Sequence, residues 1–248
     1  CDLAVPDRFS DVSLRHLVLL TRAISNDEVR LRVVDLRTAI GFADESGRLL
    51  RAISSEGSLF LRLGGVNIVL LVTAGVDALP DDPEDAYACI PERVFISERE
   101  GVLGIERPRK RGEGPWNSHS SITFVRAHAG PLAVAAELCS GEEEQHGSVV
   151  VRTDTGVLRR PVGVAALERG VLVGRYSRCD VGLRAHEESR LSRVHLLIVR
   201  DGEEVFAVDT ASTNGTRFMD REVLLKRLDD GDKLELGGEL DLTWHQAA

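Results

Sequence analysis

The sequence predicts a mainly β protein: a C-terminal antiparallel β-sandwich preceded by a β-rich (α+β) N-terminal domain. Three observations predict it. At 248 residues the chain is long for one domain, since domains usually run about 100 to 150 residues. Apolar residues recur with a period of two along most of it, the signature of half-buried strands. In the second half these runs are short and divided by Gly, Asp and Asn turn residues, the spacing of a sandwich. The polar stretch Ser140 to Gly147, with Glu142, Glu143, Glu144 and His146, separates the two parts. It sets the expected domains at 1–145 and 148–248.

Near the start, Leu14, Leu17, Val18, Thr21 and Ile24 repeat at helical spacing behind the caps Ser10 and Asp11, which predicts one amphipathic helix. The period then changes to two. Val29, Leu31 and Val33 alternate with Arg30 and Arg32. Gly41 to Ala43 and Arg48 to Ile53 flank the turn residues Asp44 to Gly47, and Ser58 to Leu63 leads through Gly64 and Gly65 into Val66 to Val72. Beyond Ser148, strands are expected at Val149 to Arg152, Val162 to Ala166, Val171 to Val173, Leu196 to Val199, Val205 to Val208 and Leu234 to Leu236. Asp201-Gly202 predicts a tight hairpin, because both residues tolerate positive φ.

Composition excludes several classes of function. A formal net charge of -9 argues against nucleic-acid binding, because phosphate backbones select basic faces. The basic run Arg107, Arg109, Lys110 and Arg111, beside Gly112 and Gly114, is read as a solvated turn. Only three basic residues are lysines, an arginine bias that suggests a GC-rich bacterial genome. Cys1, Cys89, Cys139 and Cys179 are far apart with no CxxC pair, which disfavours a zinc knuckle or a disulfide framework and fits a cytoplasmic location. A leading cysteine also fits a processed lipoprotein, though a chain cut there for other reasons fits equally. No apolar run reaches the roughly 18 residues of a membrane span.

Enzyme motifs are missing. There is no GxxxxGK[ST], GxSxG or GxGxxG, and His186-Glu187-Glu188-Ser189-Arg190 lacks the second histidine of HExxH. His119 and His128 stand among serines and alanines without a neighbouring ligand and read as surface histidines. The expectation is a protein with no catalytic residues, no metal and no cofactor.

What remains is a set of short motifs in the second half: Gly174-Arg175, Ser177-Arg178-Cys179-Asp180, Ser192-Arg193-Val194-His195 and Ser212-Thr213-Asn214-Gly215-Thr216. Chemically they suit an oxyanion. Arg175 ends a strand with a planar fork that can hold two phosphate oxygens, and Ser192 and Thr213 add hydroxyls from two other loops. From Arg169 to Arg193, six arginines stand against Asp180, Glu187 and Glu188, so a local excess of +3 sits in an acidic chain. In this order the motifs resemble the forkhead-associated (FHA) domain, with Leu228, Gly231-Asp232, Leu234 and Gly237 resembling that family's closing L..GD.L..G signature. The resemblance covers roughly residues 148 to 246.

The resemblance implies a module that binds phosphothreonine peptides without catalysing a reaction. By it, Arg175, Ser192, Arg193 and Thr213 contact the phosphate or its immediate backbone, and Asn214 holds the peptide main chain. Gly174, His195 and Gly215 are architectural by the same resemblance, and Cys179 is a small buried residue. Arg190 is expected to lie beside Ser192 in extended backbone and to favour an acidic residue three positions after the phosphothreonine. No threonine of this chain has Asp or Glu at that spacing, so the expected partner is another, threonine-phosphorylated protein, with a Ser/Thr kinase upstream. The rival expectation is a phosphate-independent scaffold component of a larger assembly, such as a secretion or contractile apparatus; a second rival puts an enzyme or sensor site in residues 1–145. Ser121 to Gly141 also lies gapless on His195 to Gly215, which leaves open a degenerate sandwich repeat, a decayed second phosphopeptide domain, although two hairpins of similar length often match this well by chance and the stretch lacks the SRxH and TNG residues.

Overall fold

The computed structural model describes residues 12–13, 15–24, 29–44, 47–70, 82, 138–139, 144–153, 156–183 and 190–247, with the strands at 93–97, 103–104 and 123–128. Cys1, Ser10, Asp11, Cys89, the basic run at 107–114, His119, 186–189 and most of 121–141 lie outside the described residues. The chain divides into two compact units, 2–132 and 133–248.

The first unit holds β1 (Leu17–Ala23), β2 (Val29–Asp35), β3 (Phe42–Ala43), β4 (Leu49–Leu50), β5 (Ala52–Glu56), β6 (Leu59–Leu63), β7 (Val66–Leu70), β8 (Arg93–Ser97), β9 (Leu103–Gly104) and β10 (Thr123–His128). One sheet runs β1-β2-β5-β10-β8-β9 and the other β4-β3-β6-β7. Leu31, Val33 and Ile53 of the first sheet share a buried core with Phe42, Leu50, Leu59, Leu61 and Leu63 of the second. The expected N-terminal helix is absent, and strand β1 occupies its place, antiparallel to β2 from Leu17↔Asp35 to Ala23↔Val29. The run Leu17-Val18-Leu19-Leu20 is apolar at every position, so its spacing fits either period. The seven-residue partner strand decides in favour of the sheet.

The second unit holds β11 (Gln145–Thr153), β12 (Gly156–Gly163), α1 (Val164–Arg169), β13 (Val171–Gly174), β14 (Val181–Gly182), β15 (Leu196–Asp201), β16 (Glu204–Asp209), β17 (Thr216–Phe218), β18 (Arg221–Glu222), β19 (Leu225–Leu228), β20 (Lys233–Leu236) and β21 (Leu240–Gln246). Its sheets run β12-β11-β21-β20-β17-β18 and β14-β13-β15-β16-β19. Val149, Val151, Leu234, Leu242 and Trp244 of one pack with Val171, Val173, Leu196, Ile198 and Ala207 of the other in one buried cluster. This is the predicted antiparallel sandwich. The strand expected over Val162 to Ala166 stops at Gly163 and becomes α1. Ala165, Ala166, Leu167 and Glu168 are good helix formers, and Gly170, at φ 88°, ends the turn.

Between β19 and β20 the chain turns on Asp232, whose carboxylate accepts the Asp229 N–H at 2.9 Å and the Lys226 ammonium at 2.6 Å. Burial opposes its charge, yet the Asp229 amide and Lys226 hold the carboxyl below its ordinary value. A carboxyl with a lowered folded pKa stabilises the fold above its unfolded value, near 3.9, and that stabilisation disappears as pH falls through the folded value. Asp232→Asn should therefore lose stability at neutral pH and show a shallower fall in melting temperature between about pH 5 and 3 than the parent. Thermal scans across that range check it.

Candidate functional site

The site lies at the loop ends of the second sandwich, where three connections meet: β13–β14, β14–β15 and β16–β17. The first begins at Gly174. A Cβ there would stand 2.3 Å from the Arg193 carbonyl oxygen and 3.0 Å from that of Ser192. Only glycine admits this approach. It lets the Arg175 N–H donate to the Ser192 carbonyl at 3.1 Å and the Tyr176 N–H to the Arg193 carbonyl at 2.9 Å. Two consecutive ladder-like bonds thus clamp the first loop to the second. The Cys179 thiol is buried and donates to the same Arg193 carbonyl at 3.3 Å, while the Asp180 carboxylate accepts the Leu172 N–H at 2.9 Å.

His195 ties the second loop to the third. Fully buried, it accepts the Ser192 N–H on Nδ1 at 3.2 Å and donates from Nε2 to the Gly215 carbonyl at 3.1 Å. One nitrogen accepts and the other donates, so the ring is neutral and carries its proton on Nε2. Its own backbone carbonyl accepts the Thr210 N–H at 3.0 Å. The architectural reading of His195 has a geometric basis in these bonds. His195→Ala should leave the Ser192 N–H and the Gly215 carbonyl unpaired in the interior, at about 1 to 3 kcal/mol. A loss of roughly 5 to 20 °C in melting temperature is expected; an unchanged value with peptide binding lost would contradict it.

The third loop is fixed by Asp209, a residue that the sequence motifs did not single out. Its carboxylate accepts the Ser212 N–H and hydroxyl, both at 2.6 Å, and the Thr216 hydroxyl at 2.7 Å. Asp-x-x-Ser is a recognisable turn-closing spacing, and it was legible at Asp209-Thr210-Ala211-Ser212. The turn passes Gly215 at φ 74°, a left-handed conformation that glycine adopts freely. Thr213 and Asn214 are left exposed at its tip.

These bonds bring the predicted residues together. The Thr213 N–H donates to Ser192 Oγ at 2.9 Å, and the two hydroxyl oxygens stand 3.4 Å apart. Asn214 Nδ2 donates to the Arg190 carbonyl at 2.6 Å, and the Arg190 N–H donates to Glu239 at 3.0 Å. The exposed guanidinium groups of Arg175 and Arg193 make no hydrogen bond or ion pair with any described residue. Two cationic forks and two adjacent hydroxyls, held by a buried frame, can receive a tetrahedral oxyanion. One expectation fails in detail. Arg190 lies in a bend, and β15 begins only at Leu196, so the extended backbone assumed at Arg190 is not there. The Asn214 and Glu239 contacts shape the loop instead.

The FHA domain family model matches residues 171–237, a span that includes all three loops. Solved structures similar to this chain include FHA-1 of Rv1747 from Mycobacterium tuberculosis, 27% identical over 42% of this chain and 99% of that one with a TM-score of 0.34. Another is the FhaA FHA domain complexed with the intracellular domain of Rv3910, 28% identical over 40% of this chain and 100% of that one with a TM-score of 0.33. A third, the FHA domain of CT664 from Chlamydia trachomatis, is 18% identical over 42% of this chain and 99% of that one with a TM-score of 0.36. No curated protein matches the chain. The family match and the predicted motifs coincide, and the C-terminal part of this chain carries an FHA domain, over residues 171–237.

Proposed function

We propose that the chain is a non-enzymatic adaptor whose C-terminal domain docks on a threonine-phosphorylated partner protein in trans, downstream of a bacterial Ser/Thr kinase. One observation carries this reading: Arg175 and Arg193, whose backbones are bonded into the loops that bring the Ser192 and Thr213 hydroxyls together, have exposed guanidinium groups without partners among the described residues. Among the described residues no carboxylate engages Arg175, as a structural salt bridge would, which leaves its fork open to an anion there. The Asn214 amide already holds the Arg190 carbonyl, so binding a peptide main chain requires Asn214 to exchange or share that bond. Domains at 1–145 and 148–248 are the working division for experiments.

Isothermal titration with a phosphothreonine peptide library and the matched unphosphorylated peptides tests the function. Binding confined to the phosphorylated members supports the adaptor; equal binding of both supports a phosphate-independent scaffold. Within the binders, Arg190, kept at the site by the Asn214 bond to its carbonyl and not by extended backbone, should give aspartate three residues after the phosphothreonine an advantage of about 1 kcal/mol over alanine, the value of a partly exposed pair. That is roughly fivefold. Arg190→Ala should abolish the advantage while leaving binding of the alanine peptide in place, a comparison that a peptide array reads directly.

A further inference from the structure

We infer that residues 13–70 are a second copy of the FHA-type loop scaffold, built on the same histidine staple but without the donor side chains of Arg193, Thr213 and Asn214. The chain would then carry two such modules and one phosphothreonine site. This second point rests on the function proposed above for the C-terminal domain.

Seven consecutive strands of the first unit, β1 to β7, match β15 to β21 of the second in sheet order. In the first, β1-β2-β5 lie in one sheet and β4-β3-β6-β7 in the other; in the second, β15-β16-β19 and β18-β17-β20-β21 do the same. The registers agree as well. Leu17 pairs with Asp35 as Leu196 pairs with Asp209, and Val34 pairs with Ala52 as Val208 pairs with Leu225. Many sandwiches share a topology, so strand order alone would decide little. The loop chemistry goes further.

His16 repeats the bonds of His195. It is buried, accepts the Ser13 N–H on Nδ1 at 3.1 Å and donates from Nε2 to the Gly41 carbonyl at 2.7 Å. In both units the donor precedes the histidine by three residues, the histidine directly precedes a strand, and the accepting carbonyl belongs to a glycine six residues after an aspartate that ends the next strand. The carbonyl of His16 accepts the Leu36 N–H at 2.9 Å as that of His195 accepts the Thr210 N–H at 3.0 Å. Gly41 and Gly215 have φ of 63° and 74°, and the non-glycine residues Arg37 and Ala211, each two after the aspartate, both have φ 58°. Positive φ outside glycine is uncommon. Its recurrence at the same loop position points to one scaffold used twice.

The differences are confined and compensated. Phe42 stands where Thr216 stands in the other copy, which removes one hydroxyl from the aspartate, and Arg51 stands where Leu224 stands. The Arg51 guanidinium pairs with the buried Asp35 carboxylate and also donates to the Thr38 carbonyl at 3.0 Å. A buried ion pair thus replaces the hydroxyl bond and keeps the loop. At the tip, Ala39 and Ile40 replace Thr213 and Asn214, and in the sequence Leu14 is two residues before His16 as Arg193 is two before His195. Neither Ala39 nor Ile40 has a side-chain donor. The frame is kept, with Ser13 in the place of Ser192, but the counterparts of Arg193, Thr213 and Asn214 carry no side-chain donor, so the N-terminal copy is left to phosphate-independent contact.

Three measurements on the full chain decide it. Imidazole 15N spectra should show His16 and His195 both as neutral Nε2–H tautomers. Hydrogen exchange should show the Ser13 amide, whose acceptor is His16 Nδ1, protected in the parent and released in His16→Ala, with the amides of 196–210 unchanged. Titration with a phosphothreonine peptide should give one site per chain, and Arg175→Ala should remove it. A His16 proton on Nδ1, or Ser13 protection that survives His16→Ala, overturns the shared scaffold. A second phosphopeptide site that persists in Arg175→Ala overturns the silent copy. Absence of all phosphopeptide binding counts against the C-terminal reading alone, because the tautomer and exchange results stand without it.

Discussion

Arg175→Ala should weaken phosphothreonine-peptide binding by at least about 30-fold while leaving the melting temperature of the protein unchanged. The side chain is exposed and engages no described residue, and changes at such positions usually stay within about 0.5 kcal/mol of stability. Its backbone N–H, which donates to the Ser192 carbonyl, survives the substitution. In the complex the guanidinium and the phosphate would be desolvated together. Removing one member of such a pair costs about 2 to 5 kcal/mol, and about 1.4 kcal/mol is a factor of ten. Arg175→Lys should recover only part of the loss, because an ammonium keeps the charge but not the two-pronged geometry. Calorimetric titration of the three proteins with one peptide checks both steps, and unchanged affinity in a folded Arg175→Ala protein would remove Arg175 from the site.

Gly174→Ala should be the most damaging single methyl group in the site. The added Cβ would meet the Arg193 carbonyl oxygen at 2.3 Å and its carbon at 2.9 Å, both backbone atoms. A flexible side chain could swing aside; this backbone cannot move without breaking the Arg175–Ser192 and Tyr176–Arg193 bonds that join the first two loops. Overpacking costs about 1 to 3 kcal/mol, and each lost backbone bond adds about 1 kcal/mol. For a domain of about 100 residues that lowers the melting temperature by roughly 10 °C or more. Peptide binding should fall with it, even at temperatures where the variant remains folded, because Arg175 and Ser192 no longer share a frame. A melting temperature within 2 °C or so of the parent would show that the loops yield cheaply.

The C-terminal site was legible because its side chains are few, ordered and chemically distinctive. Gly174-Arg175, Ser192-x-x-His195 and Thr213-Asn214-Gly215 each name a loop, and the structure joins those loops through Gly174, His195 and Asp209. The N-terminal fold was legible only as a period of two. Its first strand was misread because Leu17-Val18-Leu19-Leu20 satisfies a helix and a strand equally until β2 pairs with it. The scaffold shared with the second unit escaped for a different reason. The gapless match at 121–141 rests on two strands, an arginine, a turn and a closing glycine, whereas the preserved pattern is the frame, Ser13-x-x-His16 followed by Asp35-x-x-Thr38-x-x-Gly41. Frame residues bond to backbone and persist when ligand residues change, so they are the better signal for a copy that has lost its ligand. The Arg51–Asp35 pair had no sequence signature, since the two residues come from strands that only the fold brings together.

The central claim is that the loop ends around Arg175, Ser192 and Thr213 receive a phosphothreonine. The most direct test is an amide chemical-shift titration of the protein with one phosphothreonine peptide and its unphosphorylated twin. The account predicts saturable shifts at residues 175, 192–193 and 213–214 with the phosphopeptide and none with the twin. Shifts of equal size with both peptides, or phosphate-dependent shifts that leave these residues unmoved, would contradict it.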